Sequence, residues 1–260
     1  MLLRLFKDLY MELEEKYYFQ EACGYYCVDW GEVSGTLGRD IEAQMFRRLR
    51  KSNLWPIKEK CTDYSEEDVF DVIEFLYDHT SKPLEGSYHS YDNCGWHYNT
   101  FDRDAGRREY LSDINELLQD YQDGYELSAD GEILARVETG MERLLVASLP
   151  DRDSNNIEAR VNAAVLKFRR YRSSVEDRRD AIRNLADVLE FLRPQLKSVL
   201  TRGDESDLFN IANNFSIRHH NTDQKTDYDK AIWYSWMFYY YLATIHAAVR
   251  LIEKAEQNKG

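Results

Sequence analysis

Proline and glycine are scarce in this chain of 260 residues, which has only four prolines and twelve glycines. An all-β fold needs many tight turns, which glycine and proline largely supply, so their scarcity favours helices. Hydrophobic residues make up 43% of the sequence, which is enough for a packed core and excludes global disorder. The length suits one large domain or two of ordinary size. We therefore expect a mainly α fold.

Cysteine is also rare, and its four positions match neither a Cys-x-x-Cys redox pair nor a paired zinc motif. Cys23 and Cys27 are four residues apart, so on a helix they would face the same side as small buried residues. The chain begins without the features of a secretory signal peptide. We therefore expect reduced thiols and a cytoplasmic location.

Motifs for common cofactors are absent as well. The chain has no glycine-rich phosphate loop and no His-Glu-x-x-His motif, so we expect neither an ATP site nor any resident cofactor or metal. No period holds from residue 82 to 108. The polar, aromatic stretch 88–98 within it is expected to be a loop, either a structural plug or the lining of a pocket.

One alternative for that loop is a metal site. His89, Cys94 and His97 are ligand types that zinc prefers, but a site built from them needs at least one further ligand. Asp92 and Asp102 are the nearby acids that could take part. The absence of a recognised motif makes this the weaker interpretation of the sequence.

Charge is unevenly distributed along the chain. Residues 1–150 carry 16 Lys and Arg against 31 Asp and Glu, whereas residues 151–260 carry 18 against 16. The polar, turn-forming stretch 150–156 coincides with this change. We therefore predict an acidic, mostly helical N-terminal domain over residues 1–150 and a helical bundle over residues 151–260, with only the bundle suited to polyanions.

Apolar periodicity and capping signals predict most of the helices. Asp130-Gly131 predicts a tight turn in a hairpin over residues 124–134, the only β element expected. The predicted helices cover residues 2–18, 39–51, 65–79, 114–121, 156–172, 174–194, a segment starting at Ser206, and 229–254. Within the last, residues 231–249 carry no charge but include four tyrosines, which favours a helix buried in a bundle over a membrane span.

Arginine is concentrated on two predicted helices of the C-terminal half and on the turn between them. The cluster comprises Arg160, Lys167, Arg169, Arg170, Arg172, Arg178, Arg179 and Arg183. Arginine forks bind phosphates well, so this surface could contact a nucleic acid. The alternative is a solvated face whose charges are balanced by neighbouring acids such as Glu158, Glu176, Asp177 and Asp180.

A second cluster joins Arg218 to two imidazoles, His219 and His220. Two imidazoles and a guanidinium can cleave RNA without metal, since one imidazole takes the 2′-OH proton, the other protonates the leaving oxygen, and arginine neutralises phosphate charge. The alternative is a helix end, with Asn213 and Asn214 capping it and the histidines interacting with its dipole.

These residues carry a resemblance to a known superfamily. Residues 156–253 resemble the HEPN module of bacterial abortive-infection-like proteins, through Glu-Asp-Arg-Arg-Asp-Ala-Ile-Arg at 176–183, Leu-Glu-Phe-Leu-Arg-Pro at 189–194, Leu-Phe-Asn-Ile-Ala-Asn at 208–213 and Ile-Arg-His-His-Asn at 217–221. The resemblance implies a dimeric helical bundle with metal-independent endoribonuclease activity. In it Arg218 matches the catalytic arginine and His219 the polar residue, and His220 would have to take the place of the catalytic histidine. The histidine that active members carry, with four to six residues between it and the arginine, would fall at 223–225, which are Asp, Gln and Lys here.

The resemblance therefore leads to two expectations. The first is a dimeric endoribonuclease effector of anti-phage defence, a toxin acting in abortive infection, with a neighbouring defence protein as a further partner. RNA would contact Asn213, Asn214, Asn221, Arg169, Arg170, Arg172, Arg178 and Arg179. The alternative is an inactive HEPN-like module for RNA binding, dimerisation or assembly, in which the aromatic residues Trp233, Trp236, Phe238 and Tyr240 form the dimer seam.

Overall fold

The computed structural model describes residues 1–122, 124–137, 140–150, 153–201, 203, 209 and 229–258. These residues fall into two compact units, Met1–Arg136 and Val137–Gly260. The described parts are mostly helical with small antiparallel sheets, which confirms the mainly α expectation. Of the predicted helix starting at Ser206, only Phe209 is among the described residues.

The described part of the first unit contains six helices and three two-stranded sheets. The helices are α1 (Leu2–Glu15), α2 (Gln20–Cys23), α3 (Ile41–Leu49), α4 (Ile57–Lys60), α5 (Glu66–His79) and α6 (Arg103–Leu118). The strands are β1 (Tyr25–Cys27), β2 (Gly31–Val33), β3 (Lys82–His89), β4 (Gly95–Asp102), β5 (Tyr125–Leu127) and β6 (Ile133–Ala135). Short 3₁₀ turns occupy Cys61–Asp63 and Tyr91–Asn93.

Helix α5 forms the centre of the first unit. Ser65 and Asp68 make the reciprocal hydrogen bonds of a capping box, which satisfies backbone N–H groups of its first turn. Its apolar residues are almost completely buried, and the hydroxyl of Tyr110 from α6 donates to the Ile73 carbonyl at 3.0 Å. The acids predicted to start this helix therefore lie where the positive end of its dipole favours them.

The prediction of a single hairpin was wrong, because the described residues contain three. The predicted β5–β6 hairpin is present, with Tyr125 paired to Ala135. Two further antiparallel pairs, β1–β2 and β3–β4, occupy stretches that were expected to be irregular or loop. Strand β3 is solvated on both faces for most of its length, so it lacks the alternation of buried and exposed residues by which strands are recognised.

The described residues of the second unit form helices. They are α7 (Glu142–Val146), α8 (Ala159–Arg169), α9 (Val175–Leu196) and α10 (Lys230–Gln257), with a π turn at Ser154–Glu158 before α8. Ser174 and Asp177 form the predicted capping box of α9. Pro194 was expected to end this helix but lies in its last turn.

The core of the second unit lies between α8, α9 and α10. The rings of Phe168 and Phe238 stack at 4.0 Å, and leucines and alanines of α9 fill the space around them. Leu144, Leu145 and Leu149 pack against the same core. Residues 137–150 therefore belong with the second unit, whereas the change in charge placed the boundary at residue 150.

Helix α10 explains the long uncharged stretch of the sequence. Tyr234, Met237, Phe238, Tyr241 and Leu242 are buried in the helical core, and Asp229 caps the helix start through the N–H groups of Ala231 and Ile232. No helix within the described ranges has both the length and the apolar character needed to cross a bilayer.

Candidate metal centre

The hairpin β3–β4 brings three ligand-type side chains to its tip. His97 pairs with Ser87, and His89 pairs with Gly95, so the two imidazoles lie diagonally on one face of the hairpin. Their ring centroids are 5.6 Å apart. Cys94 stands at the end of the turn, directly before β4.

The turn at the hairpin tip has an unusual backbone that places Cys94. Asp92 and Asn93 adopt left-handed φ angles of 49° and 53°, which these two residue types tolerate better than others. Gly95 follows with a φ of 91°. The chain therefore reverses sharply, and the Cys94 thiol returns to the face that carries both histidines.

The fourth side chain is Cys27, at the end of β1. Gln20 of α2 fixes this segment against β4, because its side-chain amide donates to the Trp96 carbonyl at 2.9 Å and accepts from the Tyr98 N–H at 2.7 Å. These two bonds occupy the edge of β4. The next residues form β1, and Cys27 is buried beside the hairpin, 62 residues before His89.

The four ligand atoms form a compact group, all within 4.8 Å of one another. The Cys94 Sγ–His97 Nε2 distance is 3.2 Å, and the Cys27 Sγ–His89 Nδ1 distance is 3.8 Å. In a tetrahedral zinc site, with Zn–S near 2.3 Å and Zn–N near 2.0 Å, neighbouring ligand atoms lie about 3.3–3.8 Å apart. The longest separations between ligand atoms, up to 4.8 Å, would have to shorten by about 1 Å to form a Cys₂His₂ tetrahedron.

Both imidazoles are supported from outside the cluster. Nε2 of His89 lies 3.3 Å from Oδ2 of Asp29, an arrangement in which Nδ1 is left to face the thiols. Such carboxylate–histidine pairs orient histidines that bind zinc. The ring of His97 stacks on Tyr25 at 4.2 Å, which leaves its Nε2 directed at Cys94.

The electrostatics of the cluster fit a cation. Burial and the neighbouring His89 lower the pKa of His97, so its imidazole is neutral and keeps a lone pair. Burial and the nearby Cys27 raise the pKa of the Cys94 thiol, because two thiolates at this distance repel each other. A bound Zn²⁺ would reverse this preference by stabilising both thiolates.

Sequence reasoning found three of these ligands but neither Cys27 nor Asp29. Of the acids considered as further ligands, Asp102 instead caps α6 by accepting from the Ala105 N–H at 2.9 Å. Asp29 lies two residues after Cys27 in the β1–β2 turn. A turn signal at Gly24 and Gly31 around Tyr-Tyr-Cys was the one local indication that Cys27 belongs to a hairpin.

The predicted RNA-cleaving residues cannot be placed in this fold. Arg218, His219 and His220 lie outside the described residues, as do Asn213, Asn214 and Asn221. Their roles stay predictions.

The predicted basic cluster does fall on described residues. It follows α8, the connecting turn and the start of α9, where Arg160, Arg170, Arg172 and Arg183 are exposed and Arg169 is half-buried. Some of its charge is engaged locally. Arg178 lies 5.5 Å above the ring of Phe168, and Arg179 pairs with Glu176 at 3.5 Å.

No protein-family model, curated protein or solved structure matches the chain.

Proposed function

We propose that the first unit binds one zinc ion through Cys27, His89, Cys94 and His97. The observation that supports this most is the convergence of two thiols and two imidazoles, from segments distant in sequence, to within 4.8 Å. Four protein ligands fill a tetrahedral zinc site and leave no position for water or substrate. The role we propose is therefore structural rather than hydrolytic.

Such an ion would stabilise weak elements of the first unit. Strands β1 and β2 have three residues each, and an isolated two-stranded hairpin of this size is marginally stable in water. A zinc ion held by Cys27 on one hairpin and by His89, Cys94 and His97 on another would connect them. Its binding free energy would then contribute directly to folding.

Metal content tests the proposal. The full chain, purified without added metal or chelator, should contain one zinc per molecule by elemental mass spectrometry. Replacement by Co²⁺ should give the visible ligand-field bands of a tetrahedral site together with a thiolate-to-cobalt charge-transfer band. In the cobalt form, Cys94→Ser should lose the charge-transfer intensity that one thiolate contributes. As purified, the same variant should contain much less zinc than the wild type.

Cys61→Ser is the matched control, since Cys61 is a buried thiol of the same unit outside the cluster. It should retain full zinc content. If the native protein contained no transition metal and bound neither zinc nor cobalt, the proposal would be wrong. A disulfide between Cys27 and Cys94 in protein freshly purified under reducing conditions would also contradict the proposal.

For the second unit we propose an RNA-directed function, that of a dimeric endoribonuclease effector in anti-phage defence. The observation that favours RNA is local charge: residues 159–183 carry eight Lys and Arg against three Asp and Glu, in a chain of net charge −13. Four of these arginines are exposed. The alternative within the same resemblance is an inactive HEPN-like module for RNA binding or dimerisation.

A growth and RNA-integrity assay separates these alternatives. Wild type and an Arg218→Ala/His219→Ala/His220→Ala variant would be expressed in bacteria with and without phage, with equal folded protein confirmed. Catalysis predicts that only the wild type arrests growth and fragments RNA, leaving cyclic phosphate ends regardless of chelator. If both folded proteins behaved alike under every activating condition, catalysis would be excluded and the inactive HEPN-like binding module would be the remaining alternative.

A further inference from the structure

The first unit also contains an open cavity of about 480 Å³, lined by residues of α1, α2, the β1–β2 hairpin and the start of α3. Its volume lies in the range of small-molecule sites. Six aromatic side chains line it, namely Tyr10, Tyr17, Phe19, Tyr25, Tyr26 and Trp55.

The six rings differ in their exposure to solvent. Tyr10 and Phe19 are buried and stack on each other at 5.3 Å, with their planes at 16°. Tyr17, Tyr25 and Trp55 are half-buried, and Tyr26 is exposed at 65%. Aromatic rings of every degree of exposure therefore line the cavity, beside the aliphatic side chains of Val33 and Ile41.

The charged side chains of the cavity are two acids and one base. Glu14 and Glu32 are exposed and lie among the lining residues, with Arg39 as the one basic side chain among them. Glu14 accepts a hydrogen bond from the Tyr10 hydroxyl at 3.1 Å, which orients its carboxylate above the buried rings. Burial raises the pKa of Cys23 to about 12, so this thiol adds no negative charge at neutral pH.

We propose that this cavity binds a small quaternary ammonium compound. Aromatic faces attract cations through their quadrupoles, and cages of several rings are a general solution for quaternary ammonium groups. A primary ammonium would need three hydrogen-bond acceptors, while a quaternary one donates no hydrogen bonds and only needs ring faces and a nearby carboxylate. The cavity supplies six rings and two carboxylates.

The cavity is distinct from the metal cluster but shares one wall with it. Tyr25 lines the cavity and also stacks on His97, and β1 ends at Cys27. Neither carboxylate of the cavity belongs to the cluster. Ammonium binding and metal content can therefore be measured on the same sample, and the failure of one proposal is distinguishable from the failure of the other.

Choline and its neutral isostere 3,3-dimethylbutan-1-ol provide a direct test by calorimetry and by chemical-shift perturbation on the full chain. Both have the same shape, so the comparison isolates charge. Choline should bind at least about tenfold more tightly, which corresponds to about 1.4 kcal/mol, within the range of a partly desolvated cation–π site. Shift changes should centre on Tyr17, Tyr25 and Tyr26.

Variants locate the site. Glu14→Gln/Glu32→Gln should weaken choline binding several-fold, and Tyr26→Leu should weaken it without loss of fold, since this ring is mostly exposed. Glu15→Gln is the control, because Glu15 is exposed on the same helix but does not line the cavity. It should bind choline as the wild type does.

Three results would overturn the proposal. One is equal affinity for choline and the neutral isostere, which would make the cavity a hydrophobic site. Another is the absence of choline binding by folded protein. The third is binding only of a peptide that carries trimethyllysine, which would assign the cavity to a protein side chain rather than a small molecule.

Discussion

Replacing Asp29 by Asn tests whether the cluster is organised as a metal site. Oδ2 of Asp29 lies 3.3 Å from Nε2 of His89, and loss of such an outer carboxylate typically lowers metal affinity by about 10- to 100-fold. The side chain of Asp29 is 59% exposed, so solvent already screens much of its charge. We therefore expect the low end, about tenfold or about 1.4 kcal/mol.

Competition with a chromophoric zinc chelator measures this difference. Asp92→Asn is the matched control, since it makes the same change in the hairpin turn, where asparagine suits the left-handed φ of 49° equally well. Its zinc affinity should equal that of wild type. If Asp29→Asn bound zinc as tightly as Asp92→Asn, Asp29 would not orient a zinc-bound His89, and the reasoning about this contact would be refuted.

Three other predictions concern stability and RNA. Ser174→Ala removes the hydroxyl that accepts from the Asp177 N–H and should lower the free energy of unfolding by about 1 kcal/mol in denaturant titration; an unchanged midpoint would contradict the capping role. Burial, followed by the charge of Arg48, lowers the pKa of His79 from 6.5 to about 4 in the folded protein. The free energy of unfolding should therefore decrease as the pH falls from 6.5 towards 4, because the unfolded chain takes up the proton first. His79→Gln should reduce that decrease. If Arg170 and Arg172 contact phosphates, changing both to Gln should weaken RNA binding and reduce its salt dependence, measured by fluorescence anisotropy across salt concentrations. Unaltered salt dependence would argue for a solvated face instead.

Capping residues and turn residues predicted those elements whose formation depends on residues close together in the sequence. Helices α5 and α9 were predicted because Ser65 and Ser174 each precede an acid three residues later and an apolar stripe. The turn at Asp130-Gly131 predicted β5–β6 in the same way. In each case the side chains that determine the element lie within it.

The remaining elements depend on contacts that local patterns do not encode. Strands β3 and β4 are largely solvated and contain a register shift near Glu85, so no period of two survives in their sequence. Cys27 is 62 residues from His89, and long-range contacts such as those of Gln20 with β4 and of Tyr25 with His97 bring the two segments together. Spacing among neighbouring cysteines and histidines could therefore indicate three ligands but not the fourth.

X-ray absorption at the zinc edge of the purified full chain tests the central claim most directly. We predict two sulfur scatterers at about 2.3 Å and two nitrogen scatterers at about 2.0–2.1 Å, contributed by imidazole. Cys94→Ser, reconstituted with zinc, should show one sulfur scatterer fewer. Absence of zinc, or a zinc surrounded only by oxygen and nitrogen, would contradict the assignment of Cys27, His89, Cys94 and His97 as a metal centre.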